Sequence, residues 1–308
     1  MAILINAKNC DAVRKNLGVP ECILNNGRIT GMILTDNDVS YDLTTGTIDL
    51  TTANLAIQNG TFVPILKAVE VINNTPDPTT EEYQGGIISV VRNGLPQFTF
   101  KFLKGWAYAR ALYSYNSFQN FKVFLVFEDG SIAGVVDGNT LTGYSLGMLN
   151  TGTFMHTDGA VSGYVTTTIQ LTSTDEYNLN TAVLDRGYLG FNANNLFPIT
   201  DILMTGRADV SENKIYFKPK FAMNTSSILG GITIANLKLT IDGATSTITP
   251  LSLVYNSLNE EYELATATTI TTGSNVVVEL YDTPNLVNVA KIGLQFYKGS
   301  TVVFNPVA

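Results

Sequence analysis

The chain has 308 residues, of which 45% are hydrophobic and only 14% charged, against roughly 25% charged in an average soluble protein. Its net charge of −8 and pI near 4.7 exclude a phosphate-gripping nucleic-acid binder, which needs clustered Lys and Arg. The length allows two domains, no stretch reaches the roughly 18 apolar residues of a membrane span, and the start MAILINAKNCDAVRKN lacks the basic-then-apolar pattern of a secretory leader.

In chain order, CDAVRKNLG reads as a short helix ended by Gly18 and Pro20, within an N-terminal arm over residues 1–50. Cys10 and Cys22 flank it and read as two free thiols. DLTTANLAIQNG, with Asp49 as cap and Gly60 as stop, predicts one or two helical turns. FVPILKAVEVI opens a β-rich region, and the polar run from Asn73 to Gly86, with its prolines and glycines, predicts a long exposed loop. Strands flank the turn signal Asn93-Gly94-Leu95-Pro96, and Phe98, Phe100 and Phe102 alternate onto one face. The period then changes: KGWAYARALYSYNSF, with Trp106, Ala109 or Arg110, and Tyr113 at helical spacing, predicts a helix of about three turns. KFLKGWAYAR holds the densest basic cluster, three cations in ten residues.

FKVFLVFEDGSIAGVV places Glu128 and Asp129 where a carboxylate pair could act as acid and base, or where two strands turn. Asp-Gly between two β-favouring runs is a hairpin signal, because glycine accepts the positive φ of the turn. The dipeptide recurs at Asp137-Gly138, Asp158-Gly159 and Asp242-Gly243, each beside a strand-like run. These acids read as turns. Val165, Thr167, Ile169 and Leu171 then line one face of a strand whose other face is Thr and Gln, facing solvent, another subunit or a lumen.

LDRGYLGFNANNLFPITDILMTG, Leu184 to Gly206, has little periodicity and predicts a linker, with the domain boundary near residue 200. Beyond it, NKIYFKPKF, ITIANLKLTIDG, STITPLSLVYNS, EYELATATTI, NVVVELYD, AKIGLQFYKG and TVVFNP predict seven short strands, a β-sandwich of immunoglobulin-like size. The fold class is mainly β: a β-sandwich or barrel with one flanking helix over residues 1–200, and the second sandwich over 201–308.

Catalytic chemistry finds little footing. The single histidine, His156, stands beside a turn and reads as a packing or surface residue, and with two cysteines it builds no ordinary zinc site. GxSxG, P-loop and HExxH patterns are absent, and Ser145 in GYSLGM lacks a strand-to-helix elbow. Asp36, Asp38 and Asp42 form a candidate calcium loop without the central Gly and distal Glu of an EF-hand; the other reading is a solvated acidic loop. The aromatics Tyr108, Tyr113, Tyr115, Phe118 and Phe121 read as core and interface packing, against a sugar-stacking platform. No enzyme activity, cofactor or resident metal is expected.

The order of strands, long polar loop, strand pair, single helix, Asp-Gly hairpin and Thr-rich strand over residues 60–180 resembles the tube fold. That fold is shared by tail tube proteins of long-tailed bacteriophages and type VI secretion tubes. The second half is similar to the immunoglobulin-like decoration that some tail tube proteins carry. The resemblance implies a virion protein made in the host cytoplasm, stacked as homo-oligomeric rings around a channel. Genomic DNA would pass through it without specific binding, and other virion proteins would be its neighbours. In that reading the loop from Asn73 reaches the adjacent ring, with Asn73, Pro76, Glu81, Glu82 and Tyr83 at the subunit interface. Two other classes stay open: a neck ring, tail terminator or capsid decoration, and a carbohydrate-binding β-protein.

Overall fold

A computed structural model describes residues 27–43, 48–117, 120–244, 250–304 and 306. The helix expected around CDAVRKNLG and both cysteines lie outside the described residues. The protein is mainly β. It divides into two compact units, residues 1–196 and 197–308.

The first unit runs β1 (Ile29–Asp36), β2 (Tyr41–Asp42), α1 (Leu50–Gln58), β3 (Phe62–Ile65), β4 (Glu70–Asn73), β5 (Thr79–Tyr83), β6 (Ile87–Arg92), β7 (Gln97–Phe102) and α2 (Trp106–Tyr113). It continues with β8 (Phe121–Phe127), β9 (Ile132–Asp137), β10 (Thr140–Thr142), β11 (Tyr144–Thr151), β12 (Val165–Leu171), α3 (Thr174–Asn178), β13 (Thr181–Leu184) and α4 (Arg186–Leu189). Eleven of the strands form one sheet, ordered β2-β10-β9-β8-β11-β12-β7-β4, with β1 on β8, β3 on β1 and β13 on β9. β11 is the corner. Its first residues, Tyr144 and Ser145, pair with Val123 and Lys122 of β8, whereas Leu146 to Thr151 pair with β12. A register shift between Leu146 and Met148 lets the strand change direction, which folds the sheet back on itself.

The two limbs enclose one core. Phe98, Phe100 and Phe102 of β7 and Val165, Ile169 and Leu171 of β12 meet Met32 and Leu34 of β1 and Val123 and Leu125 of β8. The clean alternation of β7 and β12 follows, because the opposite face of that limb is only partly buried. β8 is different. Phe124 and Val126, on its other face, are buried as completely as Val123 and Leu125, with the Phe124 ring 6.0 Å from Phe62 and 6.5 Å from Tyr41. A strand covered on both faces carries a continuous apolar run, and so FKVFLVF alternates only loosely.

Local signals account for the turns. Gly130 (φ +90°) closes the β8–β9 hairpin with its N–H on the Phe127 carbonyl at 3.0 Å. The Asp129 carboxylate accepts from the Ser131 N–H at 2.9 Å and hydroxyl at 2.6 Å. Asp129 therefore serves the turn. Asp49 caps α1, accepting from the Thr52 N–H at 2.7 Å, and that bond holds its carboxyl below the ordinary value. α2 is shorter than its sequence predicts. It ends at Tyr113, three 3-10-type bonds follow, and by Ser117 the backbone is paired with Leu149.

The second unit contains β14 (Ile199–Asp209), β15 (Lys214–Phe221), β16 (Asn224–Ile228), β17 (Leu237–Ile241), β18 (Pro250–Asn256), β19 (Glu261–Thr266), β20 (Val276–Leu280), β21 (Ala290–Ile292), β22 (Gln295–Gly299) and β23 (Val302–Phe304). A seven-stranded sheet, β18-β19-β15-β14-β22-β21 with β16 on β15, faces a three-stranded sheet, β17-β20-β23. Ile202, Met204, Ile215 and Phe217 from the larger sheet and Leu239, Ile241, Val276 and Val278 from the smaller one share the core. The sandwich thus has ten strands where seven are legible in sequence. AKIGLQFYKG splits at Gly293 (φ +63°) into the β21–β22 hairpin, and β16 is an added edge. β14 starts inside the expected linker. Its alternation is masked because Leu203 points outward while Gly206 points inward, where any Cβ would overlap the Tyr216 carbonyl oxygen.

On the outer face of the larger sheet, Arg207 donates to both carboxylate oxygens of the nearly buried Glu261, at 2.9 and 3.2 Å, and its guanidinium lies 4.1 Å from the Tyr216 ring centroid. These hydrogen bonds hold the Glu261 carboxyl below its ordinary value of 4.5. A depressed folded value means that the stabilisation is fully present above the unfolded value and is lost as pH falls through the folded one. Thermal unfolding of wild type and Glu261→Gln should therefore differ most near neutrality and converge below pH 4.5. Curves that stay parallel through that window would show that Glu261 is not the group that titrates.

Candidate assembly surface

β5 and β6 form a two-stranded sheet of their own, joined by Gln84-Gly85-Gly86, with Gly85 (φ +97°) and Gly86 (φ +75°) supplying the turn. Every residue from Ile72 to Asn93 is exposed. The arm leaves the body where β4 pairs with β7, and is anchored by the Asn74 side chain donating to Thr99 Oγ1 at 2.8 Å and the Gln97 N–H donating to Thr75 Oγ1 at 3.1 Å.

Its sequence is unlike that of a solvated hairpin. Tyr83 opposite Ile87 lies on one face, and Ile88 and Val90, opposite Glu82 and Thr80, on the other. Ile87 is 67% exposed, Ile88 65% and Val91 62%. A lone two-stranded hairpin is marginal in water, and one with apolar groups on both faces has no solvated side at all. Such an element is stable in context when protein covers it on both faces.

The expected loop from Asn73 to Gly86 is thus half of this arm rather than irregular chain. Glu81, Glu82 and Tyr83 share β5, and the Tyr83 hydroxyl donates to Glu81 at 3.0 Å. Asn73 and Pro76 sit at the root: Asn73 Oδ1 accepts from the Thr75 N–H and hydroxyl, and Pro76 abuts Gly94. Three of the five thus share β5, whereas Asn73 ends β4 and Pro76 lies between the two strands. Ile87, Ile88, Val90 and Val91 were missed as surface residues, because Ile-Ile-Ser-Val-Val reads as a strand and says nothing of what covers it. A Cβ on Gly94 would overlap the Pro76 carbonyl oxygen, so Gly94→Ala forces the legs of the arm apart. The variant should keep the wild-type unfolding temperature and lose assembly, measured by sedimentation velocity.

No family model, curated protein or solved structure matches the chain. Function therefore rests on these residues and their geometry.

The remaining candidates do not converge on chemistry. Asp36 ends β1, Asp38 lies in the following turn and Asp42 is in β2; among the described residues no three His, Cys, Asp or Glu side chains stand together to hold a cation. The acidic spacing thus does not become a calcium loop. Ser145 is a strand residue whose hydroxyl and N–H both donate to the Glu176 carboxylate at 2.8 Å, fastening α3 to β11. His156 stacks in an aromatic group, 5.4 Å from the Trp106 ring and 5.5 Å from Phe154. Tyr108, Tyr115 and Phe121 pack against the core as expected, but Trp106 is 59% exposed and Tyr113 also faces outward. α2 buries only Ala109 and Leu112. Among the described residues no helix is long and apolar enough to cross a membrane.

Proposed function

We propose that this protein is a self-assembling structural subunit, and specifically a phage tail tube protein that stacks as rings around a DNA-conducting channel. The observation that carries the reading is the arm: an exposed hairpin, apolar on both faces, on a body whose own core is complete without it. In a homo-oligomer that arm has a place to go, since a protruding element on one copy and its receptor on the next make a heterologous contact that repeats along a stack. The β-rich unit with a corner strand and a flanking helix supports the tube resemblance, and the second sandwich supports a decoration outside it. An acidic chain repels DNA phosphates, which favours passage over binding.

Negative-stain electron microscopy over a concentration series tests this. Hollow tubes of uniform width are the expected result. Single rings would move the protein to a neck, terminator or decoration role, and monomers at every concentration would overturn self-assembly.

A further inference from the structure

The densest basic stretch, KFLKGWAYAR, lies on the surface that carries α2. Lys101 is paired with Glu70 at 3.5 Å. Lys104 and Arg110 have no ion-pair partner among the described residues; Lys104 donates to the Leu66 carbonyl at 3.2 Å and lies 4.0 Å from the Tyr108 ring centroid. Between them stands an exposed apolar group. Trp106 packs 5.1 Å from Phe154, and Leu103 and Met155, each half exposed, come from the same two segments. Asp158 follows on the 155–164 loop.

The arm carries the complement. On one face of it Ile88 and Val90 stand opposite Glu82 and Thr80, and Glu82 has no ion-pair partner among the described residues. That face sets an acid without an ion-pair partner beside two apolar side chains, and the α2 surface sets two such cations beside Trp106. Apolar centres inside charged rims of opposite sign are the arrangement that fixes partner and register at an interface.

We propose that the α2 surface centred on Trp106, with Lys104 and Arg110, receives one face of the β5–β6 arm of a second copy of this chain. This rests on the self-assembly reading and goes beyond it by naming the receptor. Glu82 meets Lys104 and Arg110, and Ile88 and Val90, which share its face, cover Trp106.

Trp106 is the sole tryptophan of the sequence, so its fluorescence reports this surface directly. On assembly its emission should shift to the blue and its quenching by acrylamide should fall several-fold. Glu82→Lys and Lys104→Glu/Arg110→Glu, each tested alone, should stay monomeric with wild-type unfolding temperatures, and one chain carrying all three changes should assemble again. Wild type that never assembles overturns the assembly reading, and this inference with it. Wild-type assemblies in which Trp106 stays as quenchable as in the monomer overturn the receptor alone. So do assembly by the Lys104→Glu/Arg110→Glu chain at wild-type concentrations, failure of the three-change chain to recover, and protection of Trp106 in assemblies of a chain lacking the arm.

Discussion

A chain in which Asp77–Arg92 is replaced by Gly-Gly is expected to fold normally and to remain monomeric at the concentrations where the proposed tube would form. The replacement is sterically open, because Pro76 and Gly94 already touch across the root and the two glycines with Asn93 span them. Folding should be untouched, since no residue of the excised segment is buried. Assembly is another matter. Tyr83, Ile87, Ile88, Val90 and Val91 are each more than half exposed. Covering the exposed part of each contributes about 1 kcal/mol, roughly half the value for full burial of such a side chain. Five of them give about 5 kcal/mol, or a rise of roughly three to four orders of magnitude in the concentration needed for assembly. Sedimentation and electron microscopy of the shortened chain read both halves of the prediction. Tubes formed at the wild-type concentration would remove the arm from the interface. A softer variant, Ile87→Ser/Ile88→Ser, keeps the hairpin length and should weaken assembly by a smaller factor in the same direction.

The residues of the arm also show where sequence reading stops. Strands with one buried face were legible residue by residue: Phe98, Phe100 and Phe102 in β7, and Val165 to Leu171 in β12, alternate as they pack. The Asp129-Gly130 turn was legible because its chemistry is local, a left-handed glycine and a carboxylate bonding two residues ahead. β5 was not legible, because Thr-Thr-Glu-Glu-Tyr has the composition of a loop and becomes a strand only through pairing with β6. Its partner Ile-Ile-Ser-Val-Val was legible as a strand, but not as an exposed one. Apolar sequence marks a surface to be covered, and nothing local says whether the cover comes from the same chain. β14 was hidden similarly, its period broken by a glycine that yields space to the neighbouring strand. At α2 the helical spacing was read, but the buried stripe is Ala109 and Leu112 rather than the aromatics, which leaves Trp106 outward.

The body that holds this arm depends on the fold of one sheet onto itself, and Phe100 tests that dependence. Its side chain is fully buried; it sits opposite Thr167 of β12 and Val71 of β4, and its ring stacks on Phe102 at 6.5 Å between centroids. It contributes to the cluster shared with β1 and β8, so its loss opens a cavity between the two limbs rather than at an edge. Phe100→Ala should cost about 3 to 5 kcal/mol, and Phe100→Leu much less, because leucine refills most of the volume. For a unit of this size that corresponds to a fall of roughly 10 °C in unfolding temperature. The sole tryptophan lies in this unit, so Trp106 fluorescence can follow its unfolding. A loss below about 1 kcal/mol, the level of ordinary surface substitutions, would mean that the limbs on either side of β11 do not close on a common core. The positions of the arm root and of α2, both built on β7, would then have no rigid frame behind them.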